Sequence, residues 1–226
     1  MKKIVQNKMV TVRVVDMLGT RSLVELVDKS VIPHIRASKA LIDSGFAVEE
    51  TEIEADKSSS VHTASVPLAI EETTEPLEWT WVGFSVDETV DVTVCMMYSP
   101  GEFYCHFLKD DALKKLNDLN KSLAEYCAQK LPNGFKAEVG RPCCAFFAGD
   151  GNWYRALVKE ILPSGNVKVH FVDYGNIEEV TTDQLQAISP QFLLLPFQGM
   201  QCWLVGYGTA TPVMGRLVPV EHVKEK

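Results

Sequence analysis

The segment from Cys143 to Glu179, CCAFFAGDGNWYRALVKEILPSGNVKVHFVDYGNIEE, decides how this chain folds. It contains short apolar runs separated by clusters of Gly, Pro, Asn and Asp, and the runs cover residues 144–147, 153–162, 167–172 and 177–180. Runs of this length between such turns predict a small antiparallel barrel. Because about forty residues can enclose only a small core, this barrel is expected to pack against a neighbouring structure.

Four aromatic residues of this segment lie at strand ends or beside the turns, where side chains gather at one mouth of a small barrel. They are Phe147, Tyr154, Phe171 and Tyr174. Ring faces around a pocket bind a large, poorly hydrated cation, such as a methylated ammonium or guanidinium. Asn176 adds a carboxamide that can hydrogen-bond to a guanidinium nitrogen. The simpler interpretation is that these rings only form the barrel core.

The runs NWYRALV at 152–158 and VHFVDYGN at 169–176 resemble the extended Tudor modules of animal germline proteins. In that family an aromatic cage binds methylated arginine. The resemblance implies that Phe147, Tyr154, Phe171, Tyr174 and Asn176 form this cage. The turn before Tyr154 leaves a choice between two neighbouring phenylalanines, Phe146 and Phe147. Strand alternation directs them to opposite faces, so only one can join the cage, and we favour Phe147.

The resemblance also implies a function. A module of this family is expected to be a non-catalytic reader of symmetrically dimethylated arginine in the Arg/Gly-rich tails of Piwi-family proteins. It would scaffold cytoplasmic germ granules (nuage) for piRNA-based transposon silencing. No cofactor is expected, and other Tudor proteins are further candidate partners.

Three residues near the predicted cage are expected to support its structure. Arg155 and Asp173 lie on adjacent strands, and we expect them to pair and to hold the turn that follows. Gly175 is expected to need a positive φ, which glycine adopts without a steric penalty.

Composition and charge limit the class of ligand. The 226 residues are 46% hydrophobic and carry a formal net charge of −8. Residues 49–76 hold eight acidic residues against one lysine, a net −7, so the rest of the chain is nearly neutral. No basic stripe is present to follow a phosphate backbone, so direct binding of nucleic acid is not expected. No apolar run reaches the eighteen residues of a membrane span, and no signal peptide is expected.

The rest of the chain predicts a mainly β protein with one long helix, in which the small Tudor barrel lies next to a partial nuclease-like OB barrel. Alternating residues at 9–28 predict a β-hairpin, and residues 89–98 and 102–108 predict two more strands. Leucines at helical spacing predict a helix at 110–130. The predicted domains are the closing half of a preceding nuclease-like barrel at 1–47, an acidic flexible linker at 48–76, the first strands and connecting helix of an OB-like barrel at 77–132, the Tudor domain at 136–190 and a truncated, divergent tail at 191–226.

The strands at 89–108 would expose apolar sheet unless other strands cover them. The hairpin at 9–28 has a suitable strand pattern, and the linker is long enough to let it fold back at a modest cost in loop-closure entropy. We therefore expect this hairpin to pack on strands 89–108 and to complete a hybrid barrel.

Three other classes of function are weaker. A nuclease is disfavoured because residues 77–132 offer no Asp/Glu/Arg cluster at strand ends, and an RNA-binding module is disfavoured by the charge. The six cysteines show no CxxC pair and are expected to be reduced thiols. A metal site is not expected because the histidines lack ligand spacing; they are His34, His62, His106, His170 and His222.

Overall fold

The structure is a computed structural model, and it describes residues 5, 8–50, 78–109, 111–129, 135–205 and 216–219. The part of the predicted acidic linker at 51–76 lies outside the described residues, as does most of the predicted tail beyond residue 205.

Most of the described elements are strands, and two are α-helices. The first group is β1 (Met9–Leu18), β2 (Arg21–Asp28), β3 (Ile35–Arg36), helix α1 (Ala37–Asp43), β4 (Ala47–Glu50), β5 (Thr89–Ser99), β6 (Glu102–Phe107) and helix α2 (Ala112–Ala128). The second group is β7 (Pro142–Phe147), β8 (Asn152–Ile161), β9 (Val167–Phe171), β10 (Ile177–Val180), β11 (Leu185–Ala187), β12 (Met200–Leu204) and β13 (Arg216–Pro219). Short 3₁₀ turns precede and follow β11, at Thr182–Gln184 and Pro190–Leu193.

Five strands form a closed ring, which we call the large barrel: β1, β5, β6, β12 and β2. β1 pairs antiparallel with β5, with Val12 opposite Val90, and it also pairs with β2, which closes the ring. Val10, Val12 and Val14 are buried in its core because alternate residues of a strand face the same side. The hairpin at 9–28 therefore packs on strand β5, which confirms the hybrid barrel expected from the sequence.

Strand β12 corrects the prediction that residues 191–226 form a divergent tail. Met200–Leu204 runs parallel to β2 and antiparallel to β6, and it fills the gap in the large barrel between them. Met200, Cys202 and Leu204 are buried there. Five residues of mixed polarity give too weak a periodic pattern to identify such a strand from sequence.

Helix α1 was missed by the sequence analysis, which treated its C-terminal part as a short apolar segment. Seven residues are short for a helix, and only Ala37 and Leu41, four residues apart, bury their side chains against the large barrel. The long helix is present as predicted and is trimmed to Ala112–Ala128. The backbones of β4 and β13 pair as a separate two-stranded sheet.

The remaining five strands form an antiparallel sheet with the order β10-β9-β8-β7-β11, which we call the small sheet. It contains the four strands predicted within residues 143–180, with ends shifted by one or two residues. Its interior side is a small apolar core of residues such as Ala145, Val158, Val169 and Leu185. The other side, with Cys144 and Val172, packs on Leu123 of α2 and on Phe192 and Phe197. The small sheet therefore packs against neighbouring structure, as its size required.

Candidate functional site: an aromatic cage at one end of the small sheet

The hairpin of β7 and β8 positions two of the predicted cage residues. Phe147 ends β7, opposite Asn152, and Tyr154 lies opposite Ala145. The intervening turn is closed by a hydrogen bond from the Gly151 N–H to the Phe147 carbonyl (2.9 Å). A Cβ at Gly149 would lie 2.5 Å from the Phe147 ring, so the ring folds over a turn that only glycine can form at this point.

The turn between β9 and β10 positions the other three residues. The N–H groups of Tyr174 and Gly175 donate to the Phe171 carbonyl (3.1 and 2.8 Å), and the Phe171 N–H donates to the Asn176 carbonyl (2.9 Å). Gly175 has φ +92°, and a Cβ there would lie 2.1 Å from the Tyr104 ring. The positive φ predicted for Gly175 is therefore confirmed, and a second reason for glycine is the aromatic ring packed against it.

The structure brings the four predicted rings together. Phe147 lies 5.5 Å from Phe171 and 6.5 Å from Tyr154, between ring centroids, and Tyr154 lies 6.2 Å from Phe171 and 5.3 Å from Tyr174. All four pairs meet edge to face, at interplanar angles of 69° to 86°. Rings at right angles to one another present faces on several sides of one space, which is the arrangement that surrounds a cation.

The choice between the two neighbouring phenylalanines is also answered by the geometry. Phe146 packs on Trp153 (5.5 Å), on the opposite face of the hairpin from the cage. Phe147 contacts Tyr154 and Phe171. The structure therefore groups Phe147, and not Phe146, with the other rings.

The cage residues differ in their exposure, and this changes the expectation that all of them line an open mouth. Phe147, Tyr154 and Tyr174 are half-buried, whereas Phe171 is 1% exposed and Asn176 is 8% exposed. Phe171 also belongs to the core of the small sheet. It is therefore the floor of the cage and part of the core at once.

Both cage tyrosines have hydroxyl partners that the sequence analysis did not identify. The Tyr154 hydroxyl donates to Asp150 Oδ2 (2.7 Å) in the β7–β8 turn, and the Asn120 side chain on α2 donates to the Tyr174 hydroxyl (2.9 Å). Burial raises the pKa of Tyr154, and the Asp150 carboxylate raises it further. Burial likewise raises the pKa of Tyr174, to about 12. Both rings are therefore neutral phenols at physiological pH.

Behind the cage lies the predicted ion pair of Arg155 and Asp173. Arg155 Nε donates to Asp173 Oδ2 (2.8 Å) and Arg155 Nη2 donates to Oδ1 (2.5 Å), a bidentate pair with side chains that are 0% and 1% exposed. The guanidinium also donates to the carbonyls of Phe192, Leu195 and Pro196. A buried ion pair is tolerated when its remaining donors are satisfied in this way.

The turn that carries Tyr174 and Asn176 is held from outside the small sheet by residues of the large barrel. The Tyr98 hydroxyl donates to the Gly175 carbonyl (3.2 Å) and accepts from the Ile177 N–H (3.0 Å). The His106 ring hydrogen-bonds to the Asp173 carbonyl. One wall of the cage is therefore built by the small sheet alone, and the other is held by the large barrel. No local sequence signal identifies Tyr98 or His106.

Other types of site receive no support in the described part of the chain. No group of three His, Cys, Asp or Glu side chains is arranged to hold a metal ion there. No described helix is long and apolar enough to cross a bilayer. All six cysteines are free.

The fold and the cage define a class of protein. A family model described as the Tudor domain matches residues 84–206, more than half of the chain. The chain therefore belongs to the Tudor domain family, whose members are binding modules and not enzymes.

Among individual proteins, the chain is 84% identical over 205 residues to Tudor domain-containing protein 1 of Mus musculus, a match that covers 91% of this chain and 17% of the relative. It is 71% identical over 204 residues to the Homo sapiens protein of the same name, with 90% and 17% covered. The chain thus spans about a sixth of the length of these curated relatives.

Two solved structures extend the likeness to the fold. The extended Tudor domain TD3 of mouse TDRD1, solved with a MILI peptide containing dimethylarginine 45, is 90% identical with a TM-score of 0.56, covering 57% of this chain and 66% of that one. The extended Tudor domain of human TDRD1, solved with a symmetrically dimethylated peptide, is 36% identical with a TM-score of 0.54, covering 57% and 64%. The predicted extended Tudor fold is therefore confirmed.

Proposed function

We propose that this chain is a non-catalytic reader that binds symmetrically dimethylated arginine in the Arg/Gly-rich tails of Piwi-family proteins. The observation that carries the proposal is the group of four mutually perpendicular rings formed by Phe147, Tyr154, Phe171 and Tyr174. The peptide-bound states of the two solved relatives support the same ligand class.

The chemistry of the cage fits a methylated guanidinium better than an unmethylated one. Methylation keeps the positive charge and removes hydrogen-bond donors, so the cation gives up less hydration when it enters an aromatic pocket. The Asp150 carboxylate, which accepts from Tyr154, adds negative charge at the rim. Asn176 Nδ2 lies 3.5 Å from Glu178 Oε1, which leaves its Oδ1 as the acceptor for a guanidinium N–H.

At the level of the cell, the proposal is that the module recruits methylated Piwi-family proteins, and also other Tudor proteins, to cytoplasmic germ granules. There it would act as a scaffold for piRNA-based transposon silencing. This part of the proposal derives from the family resemblance and from the peptides bound by the solved relatives.

A calorimetric titration tests the proposal. The chain is titrated with three Arg-Gly peptides of one sequence whose central arginine is unmethylated, asymmetrically dimethylated or symmetrically dimethylated. We expect the symmetrically dimethylated peptide to bind most tightly. Equal affinity for the methylated and unmethylated peptides would contradict a cage function. A single-stranded RNA of similar length, titrated alongside, is expected not to bind.

Two neighbouring phenylalanines provide a matched pair of variants. Phe147→Ala removes a cage wall, and we expect it to weaken binding of the methylated peptide by about 1–2 kcal/mol. Phe146→Ala removes the same side chain from the opposite face of the hairpin, where it packs on Trp153. We expect Phe146→Ala to affect stability only, so equal binding losses in the two variants would count against the cage.

A further inference from the structure

Asn176 is the residue of the proposed site whose effect depends most on direction. A cation–π contact tolerates some displacement of the ring, whereas a hydrogen bond weakens steeply when donor and acceptor are misaligned. The Asn176 side chain is nearly buried, at 8% exposure. Its direction is set by the backbone of the turn, from Gly175 to Ile177.

One hydroxyl group holds both peptide groups that flank Asn176. Tyr98, on β5 of the large barrel, donates to the Gly175 carbonyl (3.2 Å) and accepts from the Ile177 N–H (3.0 Å). A phenol can do both at once because it carries one donor and two acceptor sites. The Tyr98 ring is anchored in turn against Tyr104 (6.5 Å between centroids), whose ring also packs on Gly175.

We infer that Tyr98 is a positioning residue for methylarginine binding, which acts by fixing the backbone on both sides of Asn176. The inference rests on the proposed function and adds to it a residue outside the cage, contributed by a different barrel. Tyr98 sets how well the Asn176 carboxamide is aimed at the guanidinium, and it does this without touching the ligand.

The test is the variant Tyr98→Phe, which removes the hydroxyl and keeps the ring. Its matched control is Tyr126→Phe, because the Tyr126 hydroxyl also bonds a backbone carbonyl, that of Ala187 (3.1 Å), away from the cage. We expect Tyr98→Phe to weaken binding of the symmetrically dimethylated peptide about five- to tenfold, less than loss of the whole Asn176 hydrogen bond. We expect Tyr126→Phe to leave the affinity unchanged at a similar shift in melting temperature.

A double-mutant cycle with Asn176→Ala separates positioning from a general loss of stability. If Tyr98 acts through Asn176, Tyr98→Phe has no further effect on affinity once Asn176 is alanine. An equal loss of affinity in both backgrounds would overturn the inference, as would unchanged affinity of Tyr98→Phe in a chain that otherwise prefers the methylated peptide. A chain with no preference for the methylated peptide would remove the proposed function together with this role.

Hydrogen exchange in the unmutated chain gives a measurement that does not depend on how the variants fold. The Ile177 amide is expected to be protected in the free protein, because Tyr98 already holds it before any ligand binds. Free exchange of this amide until peptide is added would overturn the inference.

Discussion

The two barrels of this protein are assembled in opposite ways. The small sheet takes all five strands from residues 142–187, and each consecutive pair from β7 to β10 is joined by a short turn. The large barrel takes its strands from three distant segments, 9–28, 89–107 and 200–204. The small sheet is therefore specified by local turns and alternation, and the large barrel by contacts between remote parts of the chain. The cage lies where the two meet.

The strongest test of this comparison is deletion of residues 1–47. It removes β1 and β2 and leaves β5 and β12 as unpaired edges around an exposed apolar core. We expect loss of the folded large barrel, a cost on the scale of a whole domain, about 5–15 kcal/mol. Size-exclusion chromatography and calorimetry measure it, with deletion of residues 1–4 as the control. Unchanged solubility and melting would show that the hairpin is dispensable.

The second test breaks the buried ion pair that ties β8 to the segment leading into β12. Arg155→Met leaves Asp173 as an uncompensated buried charge, and we expect a loss of about 3–5 kcal/mol in the free energy of unfolding. Lys168→Met removes the exposed pair with Glu160 (side chains 42% and 55% exposed). That control is expected to cost less than about 1 kcal/mol in denaturant unfolding. Similar costs for both variants would refute a structural role for the buried pair.

The third test places a side chain between the barrels. Gly175→Val combines a positive φ with a clash against the Tyr104 ring, and we expect destabilisation of about 2–4 kcal/mol. Gly165→Val has a similar φ of +86° with nothing within 4 Å of its Cβ, so it isolates the backbone strain. The difference between their unfolding free energies measures the packing of the two barrels. A difference near zero would mean that the large barrel can move aside.

The fourth test uses pH on a histidine between the barrels. His170 contacts the rings of Trp81 and Tyr104, and burial, helped by Lys159, lowers its pKa to about 4 from 6.5. Because the unfolded chain binds this proton at the higher pH, the folded state loses stability as pH falls from about 6.5 to 4.

We expect this loss to be about 1–3 kcal/mol, measured by denaturant unfolding across that range, and reduced in His170→Gln. Burial also lowers the pKa of His106, which adds a loss in the same direction. The exposed His34 provides the control variant, His34→Gln. A profile identical for His170→Gln and the parent would contradict this assignment.

The smallest expected effect is in the cage itself. Tyr154→Ala should weaken binding of a symmetrically dimethylated peptide by about 1–2 kcal/mol, the scale of a desolvated cation–π contact. Tyr154→Phe, which keeps the ring and loses the bond to Asp150, should retain most of the affinity. Calorimetric titration measures both. Normal binding by a folded Tyr154→Ala chain would show that the ring is only part of the core.

The sequence by itself determined the small sheet, the grouping of its aromatic residues and the Arg155–Asp173 pair. Gly175 was predictable for the same reason. These features follow from turn residues and two-residue alternation within a short segment, where pairing partners are close along the chain. Sequence also assigned the family, through runs such as NWYRALV.

Only the tertiary structure decided how the large barrel closes and what holds the cage. Strand β12 has no pattern of its own and exists because β2 and β6 leave a place for it. Phe171 looked like an open cage wall and is also core. Tyr98, Asn120 and Asp150 became part of the site only through hydroxyl hydrogen bonds. The physical reason is that long-range pairing and single side-chain contacts depend on the folded backbone and leave no periodic trace in the sequence.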